Sequence, residues 1–219
     1  MYLLAAWQAT SDAFPLLRLA QVQASIDIPN VVTCSTLDAG DPNGGPVHSP
    51  FKQLPASRCA AAMQTLVYAR PSAPTYLGPR AVSATASASG SSPSTTLVSV
   101  TFTPQSLSGG LQYNGSVACP KGISPQACEG LALQLAAPNC TWVSPASTCI
   151  GGTGNGATLE LDLGMAGGVA AVRGLYGNWP LVGLYNGDGL PAEPWLLNVS
   201  GGCAPPSVEE VWVDTGVHA

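Results

Sequence analysis

His48 ends the turn-rich segment Asp41-Pro-Asn-Gly-Gly-Pro-Val-His48, which follows an apolar, β-branched run at residues 31–37. In an open α/β sheet, loops at the carboxyl ends of buried strands carry the reactive groups. An imidazole can take a proton from a serine hydroxyl and pass it to a leaving alcohol, while a carboxylate behind it fixes its tautomer. The pattern predicts His48 as a general base oriented by Asp41, with Asp38 as the alternative.

The same residues also have purely structural interpretations. His48 fits a surface-loop histidine with no chemical role, and Asp41 in Asp-Pro-Asn-Gly fits a turn whose carboxylate accepts backbone N–H groups. Lys52, Gln53 and Arg58 could contact a polyol or a carboxylate. A solvated first turn of the next helix explains these three equally well, and we favour it.

Three tryptophans could form a platform on which sugars stack: Trp142, Trp179 and Trp195. Single aromatic residues in a β-rich region more often serve as core or rim packing. We therefore expect packing roles for all three.

The composition disfavours nucleic acid as a partner. Charged residues are only 9% of the 219 residues and the net charge is −5, so no basic surface is available to follow a phosphate backbone. A neutral, polar partner such as a sugar fits better.

The cysteines favour disulfides over a metal site. The seven are Cys34, Cys59, Cys119, Cys128, Cys140, Cys149 and Cys203. None forms a C-x-x-C pair and there are two histidines in all, so we expect no zinc site and no cofactor. The last five lie in a β-rich region and are expected to form disulfides, and the odd total leaves at least one thiol over.

Three acceptor patterns for N-glycosylation, at Asn114, Asn139 and Asn198, give weak support to a secretory route. The first residues have no positive flank and too short an apolar run for a signal peptide, and no stretch reaches membrane-spanning length. We expect any secretion signal to lie upstream of this sequence.

The first 70 residues predict the order helix, strand, loop, helix. Apolar residues at helical spacing predict a helix over 12–25, with Asp12 as its cap. Residues 31–37 predict a buried strand, and a second helix is predicted over 54–68. Its core face is expected to be Ala60, Met63, Leu66 and Val67.

The amino-acid composition changes after residue 82. Residues 83–96 are rich in Ala, Ser, Thr, Gly and Pro and predict a flexible insertion, because they offer little apolar surface to offset ordering. Beyond them, short strands are predicted at 96–102, 131–135, 158–163 and 169–172, which indicates an antiparallel sandwich or barrel.

Ordered sequence blocks resemble those of sialate O-acetylesterases. They include Asp12-Ala-Phe-Pro-Leu-Leu-Arg18, Leu37-Asp-Ala-Gly-Asp41-Pro, Val47-His48-x-x-x-Lys52-Gln53, Val98-Ser-Val-Thr-Phe102, Gly109-Gly-Leu111 and Leu184-Tyr-Asn-Gly-Asp-Gly-Leu-Pro-Ala192-Glu-Pro-Trp195. The last is the most distinctive, and the blocks cover most of the chain in the order of the C-terminal portion of that family.

The resemblance implies an α/β chain: the C-terminal part of an SGNH-type, flavodoxin-like hydrolase domain over residues 1–70, then a linker with the insertion over 71–96. An antiparallel β-sandwich-like domain is expected over 97–219. It also implies hydrolysis of O-acetyl groups on sialic acids or other sugars, with His48 matching the family histidine and Lys52 a weak candidate for substrate binding.

The sequence departs from the family pattern at two points. No Gly-Gln-Ser-Asn or Gly-Asp-Ser motif occurs, so the serine nucleophile is expected in a missing N-terminal half of the same protein. Gly45 and Pro46 stand where many relatives have an acidic residue, which leaves the triad acid open. The alternatives are a non-catalytic glycan-binding protein and a truncated fragment without activity of its own.

Overall fold

The computed structural model describes residues 2–5, 13–43, 49–70, 75–88, 95–137, 139–199 and 203. The helices of this part of the chain are α1 (Ala13–Asp27) and α2 (Gln53–Leu66). The strands are β1 (Tyr2–Ala5), β2 (Thr33–Thr36), β3 (Ala81–Ala88), β4 (Thr96–Phe102), β5 (Leu111–Tyr113), β6 (Cys128–Glu129), β7 (Leu131–Leu135), β8 (Trp142–Val143), β9 (Ser147–Gly151), β10 (Thr158–Asp162), β11 (Val169–Gly174), β12 (Trp179–Pro180), β13 (Leu184–Asn186) and β14 (Trp195–Asn198).

The helix, strand, loop and helix predicted for the first 70 residues are confirmed as α1, β2 and α2. Strand β1 adds a parallel partner to β2, with Tyr2 opposite Thr33. Asp12, the expected cap of α1, lies outside the described residues. The N-terminal part therefore presents the carboxyl end of a parallel strand to the segment that precedes α2.

The predicted core face of α2 is wrong. Arg58, Ala61 and Ala62 are buried, whereas Met63 and Val67 are exposed. The two alanines leave room for the helix to lie close to β2, and Arg58 extends under the strand, so a charged residue takes the place expected of an apolar one. The prediction that Arg58 belongs to a solvated turn is likewise wrong.

Eight of the strands form two four-stranded antiparallel sheets, in the orders β3-β4-β10-β9 and β14-β11-β7-β8. Their inner faces share one core, to which the first sheet contributes Val100 and Leu159 and the second Leu133 and Val172. Alternate residues point inward along β4 and β10, as the strand period requires. The strands predicted at 96–102, 131–135, 158–163 and 169–172 are confirmed, and the two open sheets fit a sandwich rather than a barrel.

The flexible insertion predicted from residue 83 onward is wrong for residues 83–88. They belong to β3, an outer strand that pairs antiparallel with β4 over its whole length. Ala81 and Ala84 pack on the core while most of the other side chains are exposed. Backbone ladder bonds hold an edge strand without apolar side chains on both faces, which composition alone does not reveal.

Disulfides form among the last five cysteines, as predicted. Cys119 bonds to Cys128 and Cys140 bonds to Cys203, while Cys149 is exposed and unbonded. Within the described residues neither helix is long and apolar enough to cross a membrane.

Buried polar contacts fasten the helical part to the sheets. Arg18 of α1 donates to the carbonyl oxygens of Gly177 and Asn178, both at 2.8 Å. Burial lowers the pKa of Arg18 to about 9, so the guanidinium stays charged at neutral pH and keeps both bonds.

A second fastening is centred on the buried carboxylate of Glu193. It accepts Arg80 Nε at 2.5 Å and Arg80 Nη2 at 3.0 Å, together with the hydroxyl of Thr33 on β2. Arg80 Nη2 also donates to Ser25 Oγ of α1 at 2.8 Å. One ion pair therefore links α1, β2 and the segment before β14.

Candidate active site

The candidate site begins where β2 ends. A 3-10 turn, Leu37–Ala39, follows the strand directly and buries Leu37 and Ala39. Asp38 lies between these two residues, at the carboxyl end of the parallel pair. The predicted base His48 lies outside the described residues. The next described residue is Ser49, which is buried and whose hydroxyl accepts the Phe51 amide at 3.2 Å.

Arg58 binds Asp38 with both arms of its guanidinium. Nη1 lies 2.6 Å from Oδ1 and Nη2 lies 2.8 Å from Oδ2, and Nη1 also donates to the Ser35 carbonyl at 2.7 Å. The side chains of Arg58 and Asp38 are 6% and 14% exposed. This bidentate geometry fixes the carboxylate in orientation. The sequence analysis considered Arg58 as a contact for a polyol or a carboxylate but favoured a solvated turn, because a lone arginine on a helix resembles a surface residue.

Asp41 performs the turn role that was one of its two predicted roles. Its Oδ1 accepts the backbone amide of Asn43 at 2.9 Å, which is the hydrogen bond expected of an Asx turn. Whether Asp41 or Asp38 orients His48 stays a prediction, because the histidine is outside the described residues.

Asp38 borders two clefts. One, of about 430 Å³, is lined by Ala39 and by the segment from Pro50 to Leu54, which includes Lys52 and Gln53. The other, of about 230 Å³, lies between the Leu37 to Pro42 segment and the sheet side of the molecule, where Trp179 and Tyr185 contribute. Lys52 and Gln53 are exposed, in agreement with the solvated turn that we favoured.

Tyr185 is the aromatic residue that sequence reasoning did not single out for this site. It comes from β13, lines the smaller cleft and lies close enough to Asp38 to respond to its charge. Burial first, and then the negative charge of Asp38, raise the pKa of Tyr185 to about 12, while Arg58 acts in the opposite sense. The phenol is therefore a neutral hydrogen-bond donor at physiological pH.

Residues 184–195 are the most distinctive block of the sequence analysis. Buried hydrogen bonds account for several residues of this block. Asn186 is fully buried, donates to the carbonyls of Leu77 and Ser106, and accepts the amides of Asp188 and Leu190. Together with the Glu193 contacts, these bonds set the position of Tyr185. The distinctive residues in this block were a signal for Tyr185 that the sequence analysis did not use.

The tryptophans occupy packing positions, as expected. Trp195 is buried and meets the Phe102 ring edge-on at 5.8 Å, and Trp179 is buried in a small cluster with Ile123 and Ala127. Trp142 is half-buried and covered by the guanidinium of Arg173, 4.0 Å from the ring centre. Arg173 therefore occupies one face on which a sugar could stack.

A third groove, of about 380 Å³, lies between the two sheets and is lined only by uncharged residues. It adjoins the smaller cleft, with which it shares Val117 and Leu181. Leucines form its apolar part, including Leu131, Leu175 and Leu184. Hydroxyl groups come from Tyr113, from Ser144 in the connection between β8 and β9, and from Ser147 and Thr148 at the start of β9.

The remaining predicted sites are the three glycosylation acceptors. Asn114, Asn139 and Asn198 are all exposed, and their glycosylation stays a prediction. Among the described residues, no three His, Cys, Asp or Glu side chains come together as metal ligands.

Comparison with known proteins places the fold. No protein-family model matches the chain. No curated protein matches it either. A crystal structure of a novel carbohydrate acetylesterase from Xanthomonas citri is similar, with a TM-score of 0.61 and 20% sequence identity over 88% of this chain. The match covers 39% of that enzyme, so this chain spans about two fifths of its length.

Proposed function

We propose that this chain is part of a carbohydrate O-acetylesterase. Residues 33–66 carry the histidine base and the orienting carboxylate of its active site in this proposal. The observation that carries the proposal is the placement of Asp38 at the carboxyl end of parallel strand β2, between two clefts and held by Arg58. The fold likeness to a carbohydrate acetylesterase supports it.

The chemistry that fits is acyl transfer through a serine. The serine, in a part of the protein outside these 219 residues, attacks the acetyl carbonyl while His48 takes its proton. When the tetrahedral intermediate collapses, His48 returns the proton to the departing sugar hydroxyl. Water then attacks the acetyl-enzyme with His48 again as base, which releases acetate and restores the serine.

The flanking residues have supporting roles in this proposal. Asp41, or alternatively Asp38, orients the imidazole and stabilises its charged form. Tyr185, which stays protonated, can donate a hydrogen bond to a sugar oxygen in the smaller cleft. Lys52, exposed on the rim of the larger cleft, is the residue that we propose binds the carboxylate of a sialic acid.

Within this class we propose an SGNH-type hydrolase domain and O-acetylated sialic acids as the first substrates to examine. The sequence blocks that resemble sialate O-acetylesterases motivate that choice. The disulfides Cys119–Cys128 and Cys140–Cys203 are compatible with a secreted protein, and secretion is part of the proposal.

Acetate release from a substrate panel tests the proposal. The full-length protein, including the segment that carries the serine, is incubated with O-acetylated sialic acid, acetylated xylose and an aryl acetate. We expect acetate from the acetylated sugars, and a Lys52→Ala variant should raise KM for the sialic acid while leaving KM for acetylated xylose unchanged. No acetate from any member of the panel would contradict the proposal.

A second candidate function is recognition of a neutral sugar, and the uncharged groove between the sheets favours it. Apolar surface beside several hydroxyl groups suits the faces and edges of a sugar ring. Saturation-transfer NMR on the 219-residue chain with neutral monosaccharides tests this function. Binding should be lost in Tyr113→Ala and kept in Tyr68→Ala, which alters an exposed tyrosine outside the groove. No transfer at millimolar sugar would reject it.

A further inference from the structure

We propose that Cys34 and Cys59 form a third disulfide, joining β2 to α2, under the oxidising conditions that form Cys119–Cys128 and Cys140–Cys203. The two residues carry no disulfide in the structure. Their pairing does not depend on the enzymatic activity proposed above.

The packing of α2 on β2 brings the two cysteines together. Arg58, next to Cys59 in the helix, donates to the carbonyl oxygen of Ser35, next to Cys34 in the strand, at 2.7 Å. Ala62, one helical turn beyond Cys59, is completely buried. The side of α2 that carries Cys59 therefore faces the strand.

The thiols themselves are neighbours. Cys34 is 1% exposed and Cys59 is half-buried. Burial, and next a hydrogen bond between the two thiols, raise the pKa of Cys34 well above its usual range. Cys34 thus has a thiol as its side-chain neighbour, and Cys59 is accessible to a reagent from outside.

The seventh cysteine occupies a different part of the molecule. Cys149 is exposed on β9, the outer strand of the first sheet, where its Sγ lies 3.6 Å from Glu160 Oε2. If Cys34 is paired with Cys59, the seven cysteines form three disulfide bonds, and Cys149 is left as an exposed thiol.

The oxidation balances with a low-molecular-weight disulfide such as oxidised glutathione as oxidant. The Cys59 thiolate attacks that disulfide, which forms a mixed disulfide and releases one small thiol. The Cys34 sulfur, after losing its proton, then attacks the Cys59 sulfur and displaces the second small thiol. Two protein thiols are oxidised and one small disulfide is reduced to two thiols.

The bond would close a ring over residues 34–59 that contains the Asp38–Arg58 ion pair. Such a ring limits the freedom of the unfolded chain. It also ties together the strand and the helix on either side of Asp38, so that their spacing no longer depends on noncovalent packing alone.

Thiol counting on the full chain tests the pairing. The protein is secreted by an oxidising host, or refolded with oxidised and reduced glutathione, then denatured and alkylated with N-ethylmaleimide without reduction. Intact mass should show one alkylated thiol, and non-reducing peptide mapping should find the peptides of Cys34 and Cys59 joined.

Two variants control the count. Cys149→Ser should leave no alkylated thiol, and Cys59→Ser should show two, at Cys34 and Cys149. Three alkylated thiols in the unmutated protein, with Cys119–Cys128 and Cys140–Cys203 intact, would overturn the proposal. A Cys59–Cys149 or Cys34–Cys149 bond would overturn it equally.

Discussion

Breaking the Asp38–Arg58 pair should destabilise the protein far more than breaking an ordinary surface ion pair. Both carboxylate oxygens are bound, at 2.6 and 2.8 Å, and the two side chains are only 6% and 14% exposed. Asp38→Asn removes the charge but keeps the shape. It leaves the buried guanidinium with the Ser35 carbonyl as an uncharged partner.

The magnitude follows from burial. Unit charges about 4 Å apart attract by about 4 kcal/mol at an effective dielectric constant of about 20. Removing one member of a buried pair costs about 3–5 kcal/mol, because the other charge stays desolvated. We expect about 3 kcal/mol for Asp38→Asn, and about 2 kcal/mol for Arg58→Met, because the more exposed Asp38 can turn toward water in the clefts.

Urea unfolding followed by circular dichroism measures these values, and the double variant completes a thermodynamic cycle. The double variant should lose clearly less than the sum of the two single losses, with a coupling of about 2 kcal/mol. Asp27→Asn, at an exposed carboxylate near the end of α1, is the control and should change stability by less than about 0.5 kcal/mol. Single losses below about 1 kcal/mol that simply add would refute the reasoning, since that is the behaviour of a solvated pair.

Three further predictions concern the contacts around the site. Glu193→Gln should lower the free energy of unfolding in urea by about 3 kcal/mol, because the buried partner of Arg80 loses its charge. Glu129→Gln, at the more exposed pair with Arg173, should lower it by about 1 kcal/mol. Equal losses would contradict the burial argument. Gly174→Ala should destabilise by about 1–3 kcal/mol, because a Cβ there would lie 2.1 Å from the Trp195 ring; an unchanged urea midpoint would show that the ring can move aside. Tyr185 should ionise at about pH 12 in absorbance at 295 nm, a component lost in Tyr185→Phe. The pKa of Tyr185 is higher in the folded protein than in the unfolded chain, so the unfolded chain loses the phenol proton first as pH rises. Tyr185 should therefore make the free energy of unfolding fall as pH rises above about 10. The same alkaline fall in Tyr185→Phe would contradict this.

The strands were predictable where side-chain alternation reflects burial on one face. Val98, Val100 and Phe102 alternate along β4 and all three are buried. The edge strand β3 was not predictable in this way, because its Ala and Ser side chains contribute little to packing and its order comes from backbone pairing with β4.

The candidate site was predictable in its position along the chain but not in its contacts. The strand, the turn and the helix that surround Asp38 follow from local patterns. The roles of Arg58 and Glu193 depend on partners 20 and 113 residues away, and local propensity carries no information about such pairs. Tyr185 enters the cleft from β13 for the same reason.

The most direct measurement of the central claim compares two histidine variants of the full-length protein. His48→Ala and His218→Ala alter the two histidines of this sequence, and acetate release from an O-acetylated sugar is followed for each and for the parent protein. The account predicts that His48→Ala lowers kcat by about 10²–10⁴-fold, with an unchanged urea midpoint, and that His218→Ala keeps the parent rate. Undiminished hydrolysis in His48→Ala would contradict the account.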